Sequence, residues 1–451
     1  MNSHPALSAT ADLETAPTWV LPRVLRLRDL ILLIVGTVIG SGIFLVPGVI
    51  LKAVGNSMSL ALSVWIIGGM LSLLGALTYG ELSAMNPRAG GLYVYIRDCF
   101  GRFPAFLFGW VLFFVVSTGS IATLAVAFSN YLGEFLPLGY WEMKLFSVLM
   151  IAVIASVNIL GTRRSADVLN VTTIIKVSAI LGIASALLLF RNHPQVHPVA
   201  MVTMPLSSQL SGIGVALVSV LWAYEGWQYA TFAAGEVVNP HRDFPLAFVA
   251  GILVLMGTYI VANLGYLAAL GPTGVANSNR VAATAMAVVM GPAAAKTIAA
   301  VILISIFSAA NSIALTAPRV YYAMAKDGIF FRRLAEVHPR FGTPAFAIGA
   351  TTLWAAALAA SGTFEQLLTY VVFVGWMFYA LAAASIFVYR RGESREVARY
   401  RVPGYPWTPL AFIFTVTAIM VNTIIAQPAR AAIGIGVVLT GAPAYLIWRK
   451  G

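Results

Sequence analysis

Small residues interrupt the first apolar stretch of the chain, and a bare backbone at this depth has a chemical use. The stretch from Leu27 to Val54 is long and apolar enough to cross a bilayer, yet Gly40, Ser41 and Gly42 lie together near its middle. Each glycine weakens a helix by roughly 1 kcal/mol. In hydrocarbon, unwound backbone is tolerated only where its N–H and C=O groups line a cavity or bind something. The pattern therefore predicts a broken helix that binds a small ligand near mid-membrane.

The two ends of this break would attract opposite charges. A half-helix that begins near Gly42 presents free N–H groups and the positive end of its dipole, which suit an anion such as a carboxylate. The preceding half-helix ends in the carbonyl groups of Val38 and Ile39, which suit an ammonium group. Carboxylate donors and ammonium acceptors a few ångströms apart match the two charged groups on the α-carbon of an amino acid.

A second interruption falls in the sixth apolar stretch, where Tyr224, Glu225 and Gly226 follow Ala223. The two interruptions are roughly 180 residues apart, and broken helices at corresponding positions of two halves are typical of secondary transporters. Backbone carbonyl groups at this second break would complete the ammonium site, and the Trp222 ring would cap the ligand. The alternative is a pair of unrelated glycine contacts between packed helices.

Two ionisable residues lie deep within apolar stretches, where such groups are usually functional. Glu225 could pair with a substrate ammonium or cationic side chain, carry a proton, or hydrogen-bond neighbouring helices. Lys176 lies about eleven residues beyond Ser165, the start of the fifth stretch, and a buried ammonium needs acceptors. The free carbonyl groups of the first break would serve, so that Lys176 takes the place of a bound cation. The alternative is a lysine that extends to the membrane interface.

Polar residues on two further stretches fit two roles. Ser117 in the third stretch, and Ser308 and Asn311 in the eighth, could line a pocket. Hydrogen bonds between helices are an equally good account of all three, and the sequence leaves this choice open.

The composition sets the class of protein that holds these residues. Of 451 residues, 60% are hydrophobic and 10% are charged, against about 25% charged in soluble proteins. Twelve apolar stretches of roughly 20 residues predict an all-α integral membrane protein. A transmembrane β-barrel would show shorter, alternating segments instead.

The net charge of +12 follows a membrane topology and does not indicate nucleic-acid binding. With the N-terminus inside, 21 of the 28 Lys and Arg residues fall on predicted cytoplasmic segments, 6 fall outside, and Lys176 stays within the membrane. This excess is a positive-inside bias and predicts a multi-pass protein of the plasma (inner) membrane with both termini in the cytoplasm. The lipid bilayer is therefore an expected partner, and nucleic acid is not.

The apolar stretches divide the chain into four parts. Residues 1–24 are predicted to form a cytoplasmic N-terminal tail, 25–190 a first repeat of five spans, 208–391 a second repeat of inverted topology, and 402–451 the last two spans with a short cytoplasmic C-terminus. The first 20 residues lack a secretory signal, so the first span is expected to be kept as an anchor. Residues 92–102 predict a helix at the inner interface. The single cysteine, Cys99, excludes an internal disulfide.

The motifs of soluble enzymes are missing from the sequence. It contains no phosphate-binding loop and no H-E-x-x-H metal motif, and no nucleophile–base pair is evident. We therefore expect no enzyme activity, no cofactor and no metal. A channel or membrane sensor is a different class of function, but a channel would need a continuous polar pore.

Two motifs resemble those of a known family. The G-S-G-I-F of residues 40–44 and the N-P-x-R-x-x-P of residues 239–245 resemble the amino acid–polyamine–organocation transporters, and most closely their L-amino-acid-transporter (LAT) subgroup, over Leu25 to about Arg391. The resemblance implies twelve helices in a five-plus-five inverted repeat, with helices 1 and 6 broken, that works by alternating access. It implies substrate binding by Val38, Ile39, Gly40, Ser41, Gly42, Ile43, Trp222, Ala223, Tyr224 and Glu225.

The same resemblance implies sodium-independent transport, because Lys176 matches a fifth-helix lysine that stands where sodium binds in sodium-coupled relatives. We expect an exchanger of neutral L-amino acids. A proton-coupled symporter, or a carrier of cationic amino acids or polyamines that uses Glu225, stays open. Animal members join a glycoprotein heavy chain through a cysteine in the external loop after the third span. Residues 133–140 contain no cysteine, so we expect a stand-alone bacterial-type carrier without a disulfide-linked heavy chain.

Overall fold

The computed structural model describes residues 21–190, 206–278, 280–361, 364–391, 400–426 and 428–448. Within these ranges the chain is helical, and the one strand-type pairing is an isolated bridge between Leu25 and Val237. Most of the predicted N-terminal tail and the end of the predicted C-terminal segment lie outside the described residues.

The described residues of the first half form nine α-helices, of which two are very short. They are α1 (Leu27–Val38), α2 (Gly42–Leu45), α3 (Pro47–Ala53), α4 (Met58–Met85), α5 (Leu92–Phe100), α6 (Arg102–Val111), α7 (Ser117–Leu132), α8 (Tyr140–Ile159) and α9 (Thr162–Leu189). A π-helical turn, Leu112–Val116, joins α6 to α7. Helix α5 occupies the segment predicted to lie at the inner interface.

The described residues of the second half form nine more α-helices. They are α10 (Leu206–Ala223), α11 (Pro240–Asn277), α12 (Val281–Met290), α13 (Pro292–Thr316), α14 (Pro318–Lys326), α15 (Ala345–Ser361), α16 (Phe364–Tyr389), α17 (Trp407–Ala426) and α18 (Pro428–Trp448). Two 3-10 helices, Trp227–Glu236 and Arg332–Ala335, lie between them.

Nine spans within the described part of the chain are long and apolar enough to cross a membrane. Some of them combine consecutive helices, as in Leu27–Leu45 and Pro292–Lys326. Apolar α-helices suit this environment because each backbone N–H bonds to a carbonyl of the same helix, so that few polar groups face lipid. The chain is therefore a multi-pass helical membrane protein, as its composition predicts.

The helices with the interrupted and polar stretches lie at the centre of the bundle. The apolar windows of the spans Leu27–Leu45, Arg102–Leu132 and Pro292–Lys326 are 72–78% buried within the protein, whereas those of the last two spans are 17–22% buried. Because the last two spans leave most of their surface to lipid, they form the periphery. Central helices are shielded from lipid, and there an unwound segment can be accommodated.

Both interruptions lie where the small residues predict them. Helix α1 ends at Val38, Ile39 is extended, and α2 begins only after Ser41. Helix α10 ends at Ala223, and a turn through Gly226 leads into the 3-10 helix Trp227–Glu236. The second part of the sixth stretch is thus a tighter helix than the α-helix expected there.

Candidate functional site

The two interrupted helices meet backbone to backbone at the centre of the protein. A Cβ atom added to Gly42 would lie 2.8 Å from Cα of Ala223. One added to Gly226 would lie 3.0 Å from the carbonyl carbon of Thr37, and Gly226 also has a φ of 126°. Larger residues at either glycine would clash, so the glycines are what bring the two breaks into contact.

Lys176 binds the carbonyl groups that the first break leaves free. Its side chain is completely buried, and Nζ donates to the carbonyl oxygens of Gly36 and Ile39 at 2.6 Å each. The helical partner of the Gly36 carbonyl would be the N–H of Gly40, but that N–H donates to Val38 at 2.9 Å. The lysine therefore supplies a hydrogen bond that helix α1 has lost.

Two neighbouring helices hold the same segment from other sides. The Ser305 hydroxyl of α13 lies 3.2 Å from the carbonyl oxygens of both Ile39 and Gly40. The Tyr259 hydroxyl of α11 donates to the carbonyl of Ala223 at 2.9 Å and lies 3.3 Å from that of Val38. Tyr259 thus connects the two breaks, because its single hydroxyl lies within reach of both.

A small cavity lies between the two breaks, with a volume of about 30 Å³. A single water needs roughly 10–15 Å³ measured in this way, so the cavity has room for a few waters at most. Six of the residues predicted from the sequence line it: Val38, Gly40, Ser41, Gly42, Trp222 and Glu225. An amino acid does not fit this volume, so its binding requires the lining segments to move apart.

Ser41 offers hydrogen-bonding capacity toward this cavity. The residue is 1% exposed, and among the described residues none hydrogen-bonds its hydroxyl. It is also the residue before α2, and its side chain makes no capping bond to that helix. The first N–H groups of a helix have no partner within it. Ser41 and Gly42 both line the cavity, so a hydroxyl and the start of α2 lie along its wall, and together they suit a carboxylate.

Glu225 is held in place from another helix of the bundle. Its Oε1 accepts hydrogen bonds from the Tyr379 hydroxyl at 2.6 Å and from Nε2 of Gln228 at 3.1 Å. Its Oε2 accepts one from the indole N–H of Trp376 at 2.8 Å. Three neutral donors surround the carboxyl group, and no cation of the described residues pairs with it. The group can hydrogen-bond neighbouring helices, as one sequence alternative has it, and still face the cavity.

Several predicted residues lie outside the cavity wall. The Ile39 carbonyl, expected to face an ammonium, is already taken by Lys176 and Ser305. Ile43, Ala223 and Tyr224 are buried but do not line the cavity.

The three polar residues offered as pocket candidates hydrogen-bond other helices instead. Ser117 contacts the hydroxyl of Tyr321 at 2.5 Å, and Ser308 contacts that of Thr172 at 2.9 Å. Asn311 accepts from the side-chain amide of Asn158 at 2.8 Å. Each of the three therefore joins neighbouring helices, and none of them lines the cavity.

The cavity also has lining residues that the sequence reasoning missed. They are Thr37, Leu124, Tyr229, Ala309 and Ile313, and the cavity is also lined by Ser120 and by Gly226 of the second interruption. Ser120 lies one helical turn beyond Ser117, so the polar pattern of the third stretch pointed to the right helix. The apolar members have no distinguishing pattern, because they look like any other core residue.

Interrupted helices that meet at a small central cavity, inside a multi-pass helical bundle, define the class as a membrane transporter. The family model described as amino acid permease matches residues 25–446. The chain belongs to this family, and the resemblance to amino acid–polyamine–organocation transporters of the LAT type is confirmed.

Characterised relatives cover most of the chain. It is 30% identical over 421 residues to the serine/threonine exchanger SteT of Bacillus subtilis, covering 93% of this chain and 95% of the relative. It is 31% identical over 392 residues to the human b(0,+)-type amino acid transporter 1, covering 86% and 80%. It is 29% identical over 428 residues to the human cystine/glutamate transporter, covering 93% and 84%.

Proposed function

We propose that this chain is a sodium-independent exchanger of neutral L-amino acids that works by alternating access. The observation that carries the proposal is the meeting of two broken helices at a cavity whose wall offers the unpaired Ser41 hydroxyl and the start of α2. The exchanger named among the relatives supports the mode of transport. The cavity is too small for an amino acid, which supports a cycle in which this state of the protein alternates with more open ones.

The substrate would be bound mainly through its backbone. Its carboxylate would accept hydrogen bonds from the Ser41 hydroxyl and from N–H groups at the start of α2. Its ammonium would face the carbonyl groups of Val38 and of the second break, since the Ile39 carbonyl is engaged by Lys176. Trp222 would cover the bound molecule from the cavity wall. Recognition of these shared groups leaves the side-chain preference to the rest of the pocket.

Lys176 would make sodium unnecessary. A bound cation at an interrupted helix satisfies the carbonyl groups that the interruption frees, and the amino group of Lys176 already does so at Gly36 and Ile39. Because the lysine is covalently attached, its stabilising effect does not depend on the ion gradient.

The topology proposed for this cycle has twelve spans with both termini in the cytoplasm. Residues 25–190 and 208–391 would form inverted repeats, and 402–451 would add two peripheral spans and a short C-terminus. The positive-inside distribution of Lys and Arg supports this orientation in an inner or plasma membrane. The protein would work without a disulfide-linked heavy chain, because the loop of residues 133–140 lacks a cysteine.

A second candidate is a carrier of cationic amino acids or a proton-coupled symporter, and Glu225 is the observation that favours it. The carboxyl group faces the cavity and has only neutral hydrogen-bond donors around it among the described residues. Glu225→Gln should abolish uptake of arginine and spare a neutral substrate if the carboxylate binds the cation. Equal loss of both substrates would exclude that role.

Counterflow in proteoliposomes without sodium tests the main proposal. Vesicles are preloaded with neutral amino acids, with arginine, or with buffer alone, and labelled substrate is added outside. Uptake that requires a neutral amino acid inside would establish exchange. Uptake into empty vesicles driven by an inward proton gradient would establish symport instead, and absence of transport with every amino acid would refute both.

A further inference from the structure

A completely buried ion pair lies away from the candidate site, at the basic end of the bundle. This is the end at which the predicted cytoplasmic segments, with most of the Lys and Arg residues, lie. Glu236 and Arg319 have 0% exposed side chains. The Arg319 Nε–H donates to Oε1 of Glu236 at 2.7 Å, and its second amino group donates to Oε2 at 3.2 Å and to the Thr162 hydroxyl at 2.8 Å. The Thr162 hydroxyl in turn donates to Glu236 at 2.8 Å. The remaining amino group of Arg319 donates to the Leu315 carbonyl.

Thr162, Glu236 and Arg319 come from three separate elements, and the backbone of Glu236 connects them to a fourth segment. Thr162 begins α9, Arg319 lies in the first turn of α14, and Glu236 ends the 3-10 helix of the second break. The backbone carbonyl of Glu236 also accepts from the N–H groups of Val24 and Leu25, at 2.9 Å each. One residue therefore ties the segment that enters α1 to the helices that pack around it.

The cluster adjoins two cavities of very different size. Along α13 and α14, Ile313 lines the small cavity and Tyr322 lines the wider one, and Arg319 lies between these two residues in the chain. Tyr229 lines the small cavity at the site. Gly235, which directly precedes Glu236, lines a wider cavity of about 350 Å³ together with Arg97 and Lys326. Tyr229 and Gly235 are six residues apart in a 3-10 helix, which rises about 2.0 Å per residue, so the two residues are separated by about 12 Å. Because both charged side chains are fully buried, the packing around this ion pair excludes water and a substrate.

We infer that Thr162, Glu236 and Arg319 act as a latch that closes the cytoplasmic side of the transport pathway. The inference rests on the proposed alternating access and on the orientation that places the basic end inside. A buried ion pair adds little net stability, because its charges regain hydration when it opens. A buried ion pair does require that its charged groups and hydrogen-bond donors are held in a specific geometry. These properties suit a contact that must form and break in every cycle, and they make the three residues positioning residues for the gate.

Thiol labelling from one side of the membrane tests the latch. A Cys99→Ala background carries Ser120→Cys, which places a thiol in the wall of the small cavity. Inside-out and right-side-out vesicles are treated with a membrane-impermeant maleimide. Thr162→Val keeps the shape of the side chain and removes its hydroxyl, so labelling in inside-out vesicles should speed up at least about tenfold, as expected for loss of a hydrogen bond to a charged group.

Two variants serve as comparisons for this effect. Thr162→Ser keeps the hydroxyl and should restore labelling to within twofold of the parent protein. Glu236→Gln keeps the shape of the carboxyl group without its charge and should also speed up labelling, which provides a second test if Thr162→Val does not insert.

The largely buried pair of Glu81 and Arg390 provides the matched control. Arg390 donates to the Glu81 carboxylate at 2.6 and 2.8 Å, but neither residue belongs to α9, α14 or the 3-10 helix that form the latch. Glu81→Gln should leave the labelling rate within twofold. An unchanged rate in Thr162→Val, or an equal increase in right-side-out vesicles, would overturn the latch. Labelling needs no substrate, so this result is independent of whether counterflow identifies an exchanger.

Discussion

Lys176→Met isolates the role of the lysine amino group at the first break, because methionine keeps the length of the side chain and removes its hydrogen-bond donors. In the native protein this group donates to the carbonyl oxygens of Gly36 and Ile39 at 2.6 Å. After the substitution the Ile39 carbonyl keeps the hydroxyl of Ser305. The Gly36 carbonyl has no such substitute among the described residues, because the N–H of Gly40 is engaged elsewhere.

The size of the effect follows from that one orphaned carbonyl. A buried carbonyl without a partner costs about 1–3 kcal/mol. At about 1.4 kcal/mol per factor of ten, the interrupted geometry becomes about 5-fold to about 150-fold less populated. Transport that depends on this geometry should fall by the same factor. The same cost lowers Tm by roughly 12 °C at most, so the variant should still fold.

Counterflow in proteoliposomes, normalised to the monodisperse protein incorporated, measures the loss. Lys52→Met makes the same substitution at an exposed lysine and should keep the wild-type rate. A Lys176→Met rate within twofold of wild type would refute the reasoning, because the break would then keep its shape without the amino group.

Three further predictions concern the contacts around the site and the single thiol. Gly42→Ala would place a Cβ 2.8 Å from Cα of Ala223 and should weaken substrate binding by about 1–3 kcal/mol. Binding measured by scintillation proximity should be unchanged in Gly182→Ala, where no described atom outside the local helix backbone lies within 4 Å of the added Cβ. Tyr259→Phe removes the donor to the Ala223 carbonyl and should lower counterflow about 2-fold to about 10-fold, so a wild-type rate would exclude a role in joining the breaks. Burial raises the pKa of the Cys99 thiol to about 11, which favours the neutral thiol. Maleimide labelling at pH 7.5 should therefore be roughly 100-fold slower than for a free cysteine and rise about tenfold per pH unit, and rapid labelling at pH 7.5 would contradict the burial.

The sequence by itself determined the features that depend on local composition. Apolar stretches of bilayer length predict a helical membrane protein wherever they occur, because backbone groups in lipid must be satisfied within the helix. Gly40 and Gly42 mark the first interruption in the same local way, and a lysine as deep as Lys176 requires acceptors nearby. These residues therefore located the candidate site before its geometry was known.

Only the tertiary structure decided which groups meet at that site. Glu225 accepts hydrogen bonds from Trp376 and Tyr379, which lie about 150 residues away in the chain. No periodicity in the sequence relates such distant positions. For the same reason Ser308 and Asn311 fitted a pocket as well as a helix contact until their partners were known. The small cavity volume and the burial of Glu236 are likewise properties of packed helices, because both depend on how closely separate elements approach each other.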